Sequence, residues 1–146
     1  MQRLIKQLLE GKQNPSISYE QAKQIACHDD AEVRAALANR NETQPEILYF
    51  LTDDESANVR REIAANPSTP RQADYQLAHD HDDEVRCELA AKIARLVPDL
   101  PTSEHDRIRE LTIEILEMFA EDQLPRVRQI VAEEIKHAKA VPHALV

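Results

Sequence analysis

Apolar side chains recur along this chain in a fixed phase. Four Val-Arg pairs mark it: Val33-Arg34, Val59-Arg60, Val85-Arg86 and Val127-Arg128. Eight residues before each Val stands a large apolar residue (Ile25, Leu51, Leu77, Phe119), followed by a small one (Ala26, Thr52, Ala78, Ala120). Four residues after each Val comes Leu37, Ile63, Leu89 or Val131, and then Ala38, Ala64, Ala90 or Ala132. Side chains four apart share one helix face. The pattern predicts paired helices. Helix A ends near the large-small pair, an acidic turn follows, and helix B opens near the Val-Arg. One such pair cannot bury its own apolar face, so repetition specifies a stacked solenoid whose function lies in a surface.

The punctuation agrees with this phase. Leu4, Ile5, Leu8 and Leu9 fall on one face of an N-terminal helix over 1–11, closed by Gly11, the only glycine, at a left-handed C-cap. KQNPSIS is a linker, and Ser18 with Gln21 forms a capping box for the next helix. Thr43 with Glu46, and Thr69 with Pro70 and Gln72, are N-cap candidates for the second and third A helices. The repeats span 19–40, 44–66, 70–97 and 103–139, within a single domain over 1–146. The first three Val residues are spaced by 26, the last by 42, because the third helix B runs on to a break at Pro98 and Pro101. Residues 140–146 read as the start of an incomplete repeat, or as an end that docks elsewhere. The expected fold class is all-α: a right-handed α-solenoid of about four helix pairs, with the N-terminal helix packed as its cap rather than laid on a membrane.

Composition narrows the chemistry. Aromatics make up 3% of the 146 residues and Trp is absent, so the core must be Leu, Ile, Val and Ala. A single Gly disfavours phosphate-cradling loops, and eight Pro supply the breaks. A formal net charge of −9 opposes nucleic acid and anionic lipid as partners. No stretch is apolar enough to span a bilayer, and MQRLIKQLLEG lacks a signal-peptide core. Two distant cysteines fit a reducing compartment, so a cytoplasmic location is expected.

The motif D-x-x-x-x-V-R followed by an apolar-Ala pair resembles the inner turn and second helix of HEAT-type repeats. The short units with NPSTP between them resemble the leucine-rich-repeat variant, a HEAT-like solenoid. PEILYFL, NVRREIAANPSTP, DDEVRCELAAKIARL and LPRVRQIVAEEI are most similar to an alphaproteobacterial repeat family known as a domain of unknown function. The resemblance covers the chain from Tyr19 to about Pro142 and implies fold rather than activity. The nitrogen-fixation protein that named the variant repeat carries an iron–sulfur cluster on clustered cysteines. With only Cys27 and Cys87 here, no cofactor is implied.

The repeated arginines are the first candidates for function. Asp54, Asp80 and Asp122 stand six residues before Arg60, Arg86 and Arg128, and His28 takes that place before Arg34. A row of arginines could bind anions. Because each comes with a local carboxylate, an Asp–Arg ladder stitching the repeats together is the preferred reading. Elsewhere, the run His79-Asp80-His81-Asp82-Asp83-Glu84 reads as a solvated turn supplying N-cap acids, not as a metal site. Cys27 and Cys87 sit in acidic settings and read as small packing residues.

Catalytic motifs are not evident, so a non-enzymatic interaction scaffold is expected, binding a protein or peptide on a concave helix-B face. Ala36, Arg40, Arg61, Glu62, Ala65, Glu88, Lys92 and Arg95 are its surface candidates by periodicity, and Arg61, Lys92 and Arg95 would favour an acidic peptide. The alternatives are a HEAT-like enzyme, chromophore-lyase-like or DNA-glycosylase-like, and a structural fragment of a longer solenoid. A glycosylase would need a basic face with aromatic residues for a flipped base, which fits this acidic chain poorly.

Overall fold

A computed structural model describes residues 1–11, 15–96 and 106–137, with the side chains of all but 106 and 134–137. Every regular element among them is an α-helix. Two compact units divide the chain, Met1–Pro70 and Arg71–Val146.

The first unit holds α1 (Gln2–Glu10), α2 (Tyr19–Ala26), α3 (Ala31–Ala38), α4 (Pro45–Leu51) and α5 (Ala57–Ala65). Helix α1 closes as expected, on Gly11 with φ 64°, its N–H donating to Gln7 O. Ser18 and Gln21 form the reciprocal capping box that starts α2. Asp30 starts α3 by accepting the Glu32 N–H at 2.9 Å. Helices α1, α3 and α5 pack side by side as one layer, and α2 packs on α4 as the other. The second unit repeats this arrangement with α6 (Arg71–Leu77), α7 (Asp83–Leu96), α8 (Asp106–Ala120) and α9 (Pro125–His137): α6 packs on α8, and α7 on α9.

The repeat phase is a burial phase. Val33, Val59, Val85 and Val127 are all interior, as are Leu37, Ile63, Leu89 and Val131, and the large residues Ile25, Leu51, Leu77 and Phe119. Each such aliphatic side chain stabilises the fold by about 1.5–3 kcal/mol when taken fully from water. The small residues differ. Ala26, Ala38, Ala78 and Ala90 are buried, because α4, α5, α8 and α9 lie against the helices that carry them. Ala120 and Ala132, at the same repeat positions in the fourth copy, are exposed.

Several local expectations are corrected. Leu9 is exposed although it shares a helical stripe with the buried Leu8 on α1, which packs on α3. Thr43 does not cap α4. The N-cap is Gln44, without a side-chain bond, and the Thr43 hydroxyl donates back to Leu37 O at 2.8 Å. The Thr69 hydroxyl does the same to Ile63 O at 2.9 Å. Both threonines add a second donor to a carbonyl at the end of a B helix that already accepts one backbone amide, Leu37 O from Arg40 and Ile63 O from Asn66. Asn66 ties this edge of the unit together, donating to Ala38 O at 2.8 Å and Arg40 O at 2.9 Å. The break at Pro98 and Pro101, the start of the fourth A helix at Ser103 and the segment 140–146 lie outside the described residues.

Candidate interaction surface

The arginines close the opposite edge, at the A-to-B turns. The Arg34 guanidinium lies bidentate on Asp54, with Nε to Oδ2 at 2.8 Å and Nη2 to Oδ1 at 3.1 Å, while Nη1 donates to His28 O and Asp29 O. Arg86 does the same with Asp122, Nε to Oδ2 at 3.0 Å, and its Nη1 donates to Asp80 O at 2.8 Å. Arg60 Nη1 donates to Asp54 O at 2.8 Å, and Arg128 Nη1 donates to Asp122 O. The expected pairing of each Arg with the carboxylate six residues earlier is therefore corrected. That residue supplies its backbone carbonyl; the carboxylate on Arg34 comes from the following repeat, and Arg86 takes one from the following repeat and one from Asp83 of its own turn, 2.7 Å from Nη2.

The reason lies in what the Asp carboxylate already does. Asp54, Asp80 and Asp122 each accept the N–H two residues on, from Ser56, Asp82 and Leu124, which folds the turn and turns the side chain away from its own arginine. His28 is the stand-in: its Nδ1 accepts the Asp30 N–H at 3.0 Å. The Nε, Nη1 and Nη2 donors of Arg34 and Arg86 are thus all spent on structural contacts, whereas Arg128 is exposed.

Lys92 is also corrected. It was expected on the helix-B surface, but it is 2% exposed and its Nζ lies 2.6 Å from Oδ1 of Asp74, itself fully buried. Arg71 donates to Oδ2 of the same carboxylate at 2.7 Å. Helix α7 is covered by α6, α8 and α9, so its buried face is wider than a single stripe. Burial pushes the Asp74 carboxyl up to about 6, against the opposing pull of Lys92 and Arg71. Burial likewise lowers the Lys92 ammonium. Of the other helix-B candidates, Glu88 and Arg95 are exposed, and Ala36, Arg40, Arg61, Glu62 and Ala65 are half-buried. Arg61 donates to Asn58, Glu62 accepts from Asn39, and Arg40 donates to Pro15 O.

The remaining chemistry is quickly placed. Asp82 Oδ1 accepts the Val85 N–H at 2.9 Å, so the acidic turn does cap α7. His79 Nδ1 lies 3.0 Å from Tyr75 O. Among the described residues no group of three or more His, Cys, Asp or Glu side chains is placed to hold a metal ion, and no helix is long and apolar enough to cross a membrane. Cys87 is buried, and burial pushes its thiol up, away from the nucleophilic thiolate. Cys27 is exposed.

Cys27 lines a groove of the first unit. The groove, of about 530 Å³, runs between the turn after α2 and the end of α4. Tyr49 and Phe50, Cys27 and His28, and the exposed carboxylates of Asp29, Asp53 and Glu55 line it, with the Arg34–Asp54 pair among the lining. Phe50 is 58% exposed and Tyr49 39%. The matching groove in the second unit, at Asp80, Arg86 and Asp122, is lined by His79 and His81 but by no Phe or Tyr. Residues at the phase of Tyr49 and Phe50 are Glu117 and Met118 in the fourth repeat.

Tyr49 and Phe50 were not among the sequence-derived candidates, though a signal was present. Ile47, Leu48 and Leu51 already fill the inward stripe of α4, so the two aromatics between them must point elsewhere. Comparison of the chain with protein families, with curated proteins and with solved structures finds no match.

Proposed function

We propose that this chain is a non-enzymatic protein-interaction module of the cytoplasm, built as a right-handed α-solenoid of HEAT-like repeats. Support for the solenoid comes from the repeats themselves: the same Val, the same apolar residue four later and the same Arg do equivalent jobs in both units. Support for binding comes chiefly from one observation. Phe50 exposes more than half of its surface on a short helix whose Ile47, Leu48 and Leu51 are buried, beside a groove. An aromatic side chain in that position gains free energy when a partner covers it, and aromatic anchors dominate protein interfaces.

The test is photo-crosslinking in the native cell. A photoreactive residue is placed at Phe50 in one variant and at Glu88 or Arg95 in others. A discrete protein adduct from any of these positions supports the interaction reading. Absence of a discrete adduct from all of them overturns it.

A further inference from the structure

Resting on that interaction reading, we propose that the groove between the turn after α2 and the end of α4 docks a short segment of another protein that carries a lysine or arginine next to a large apolar residue. Two properties of the groove set this chemistry. Its lining includes exposed aromatic surface, chiefly Phe50, 58% exposed. That lining is also acidic: Asp29, Asp53 and Glu55 contribute exposed carboxylates, and its one guanidinium, Arg34, is spent on Asp54 and on the carbonyls of His28 and Asp29.

A cation entering the groove meets carboxylates from two successive repeats. Glu55 has 93% of its side chain in solvent, and its Oε1 sits 4.0 Å from the already paired Arg34, so it remains available. An apolar neighbour of that cation lies against Phe50, and a cation over an aromatic face gains further attraction. An acidic segment is disfavoured by like charge in the groove and finds no unpaired guanidinium there. A second copy of this chain is disfavoured too, since each copy carries a formal charge of −9. The matching groove of the second unit is lined by no Phe or Tyr and serves as an internal control.

The probe is a displayed library of random short peptides, selected against the full chain. Enriched peptides are synthesised and their binding followed by fluorescence anisotropy and by amide chemical shifts. The expected consensus pairs Lys or Arg with Leu, Phe or Trp. Shifts are expected at residues 27–29 and 49–55. Phe50→Ala and the double variant Asp53→Asn/Glu55→Gln should each weaken binding by about tenfold or more, whereas Glu114→Gln, exposed on α8, should not. Phe50 and Glu55 are solvent-facing, so these variants are expected to fold, and retained helical circular dichroism checks that they do. Failure to enrich any peptide, an acidic or uncharged consensus, or unchanged affinity in Phe50→Ala overturns the proposal. Discrete adducts from Glu88 or Arg95 but none from Phe50, in the crosslinking experiment, would sink the groove while leaving the interaction module standing.

Discussion

The Arg34 guanidinium lies flat on the carboxylate of Asp54, twenty residues on and in the next repeat, with both members nearly excluded from water. The same Arg34 also donates to His28 O and Asp29 O in its own turn. One side chain thus fixes the shape of a turn and its distance from the next. Arg86 holds the turn at Asp122 in the same way in the second unit.

Removing one member of this pair strands the other. Asp54→Ala should destabilise the first unit by about 2–4 kcal/mol, because it leaves a guanidinium and the Ser56 N–H without their acceptor. Asp54→Asn keeps an oxygen for the Ser56 amide and should cost about half as much. Urea titrations of wild type, Asp54→Ala, Arg34→Ala and the double variant give the coupling energy. Strictly additive costs would show that the bidentate contact contributes nothing.

His28 performs at its turn what aspartate performs at the equivalent places, accepting the N–H two residues on. His28→Asp should therefore be tolerated within about 0.5 kcal/mol, whereas His28→Ala should cost about 1 kcal/mol. Thermal melts of the two variants decide the matter, and equal losses would count against the turn role.

Burial, not residue type, sets the tolerance of the repeated alanines. Ala38→Leu forces extra methylenes into a fully buried site and should cost about 1–3 kcal/mol. Ala132→Leu, at the same repeat position but exposed, should change stability by less than about 0.5 kcal/mol. Leu89→Ala, in the core of α7, should cost about 2–5 kcal/mol. Denaturant midpoints measured side by side check all three.

The Asp74–Lys92 pair predicts a pH dependence with a definite sign. The Asp74 carboxyl has a folded value of about 6 against an ordinary 3.8, so the folded chain holds that proton more tightly than the unfolded chain. The resulting stabilisation is complete below about pH 4 and fades as pH rises through about 6, a swing on the order of 3 kcal/mol. Lys92 works in the opposite sense. Its lowered value means stability present above the ordinary lysine range and lost as pH falls through the folded value. Wild type should therefore lose stability between pH 4 and 7 relative to Asp74→Asn/Lys92→Met, in which neither group titrates. Parallel stability curves for the two proteins over that interval would refute the assignment. Asp74→Ala alone, which strands a buried ammonium, should cost about 3–5 kcal/mol, and Asp74→Leu/Lys92→Met should recover most of it.

The helices, their approximate ends and the buried Val, Leu and Ala positions were legible in the sequence. Each depends on a period of three to four residues and on capping groups within one turn, all of which a linear pattern carries. Even the substitution of His28 for aspartate was visible as a place in the repeat. The partners were not. A guanidinium reaches several ångströms from its helix, and whether it meets the carboxylate six residues back or twenty ahead depends on how adjacent repeats are offset. Lys92 was misplaced for a similar reason: its burial depends on Asp74 of another helix facing it and on three helices covering α7. Tyr49 and Phe50 stood out only once the inward stripe of α4 was seen to be full. By itself the sequence determined that the repeated Val, the apolar residue four later and the large apolar residue eight earlier leave water, since that follows from local periodicity. Only the tertiary structure decided which charges meet and which apolar groups stay uncovered, because those depend on side chains converging from elements far apart in the chain.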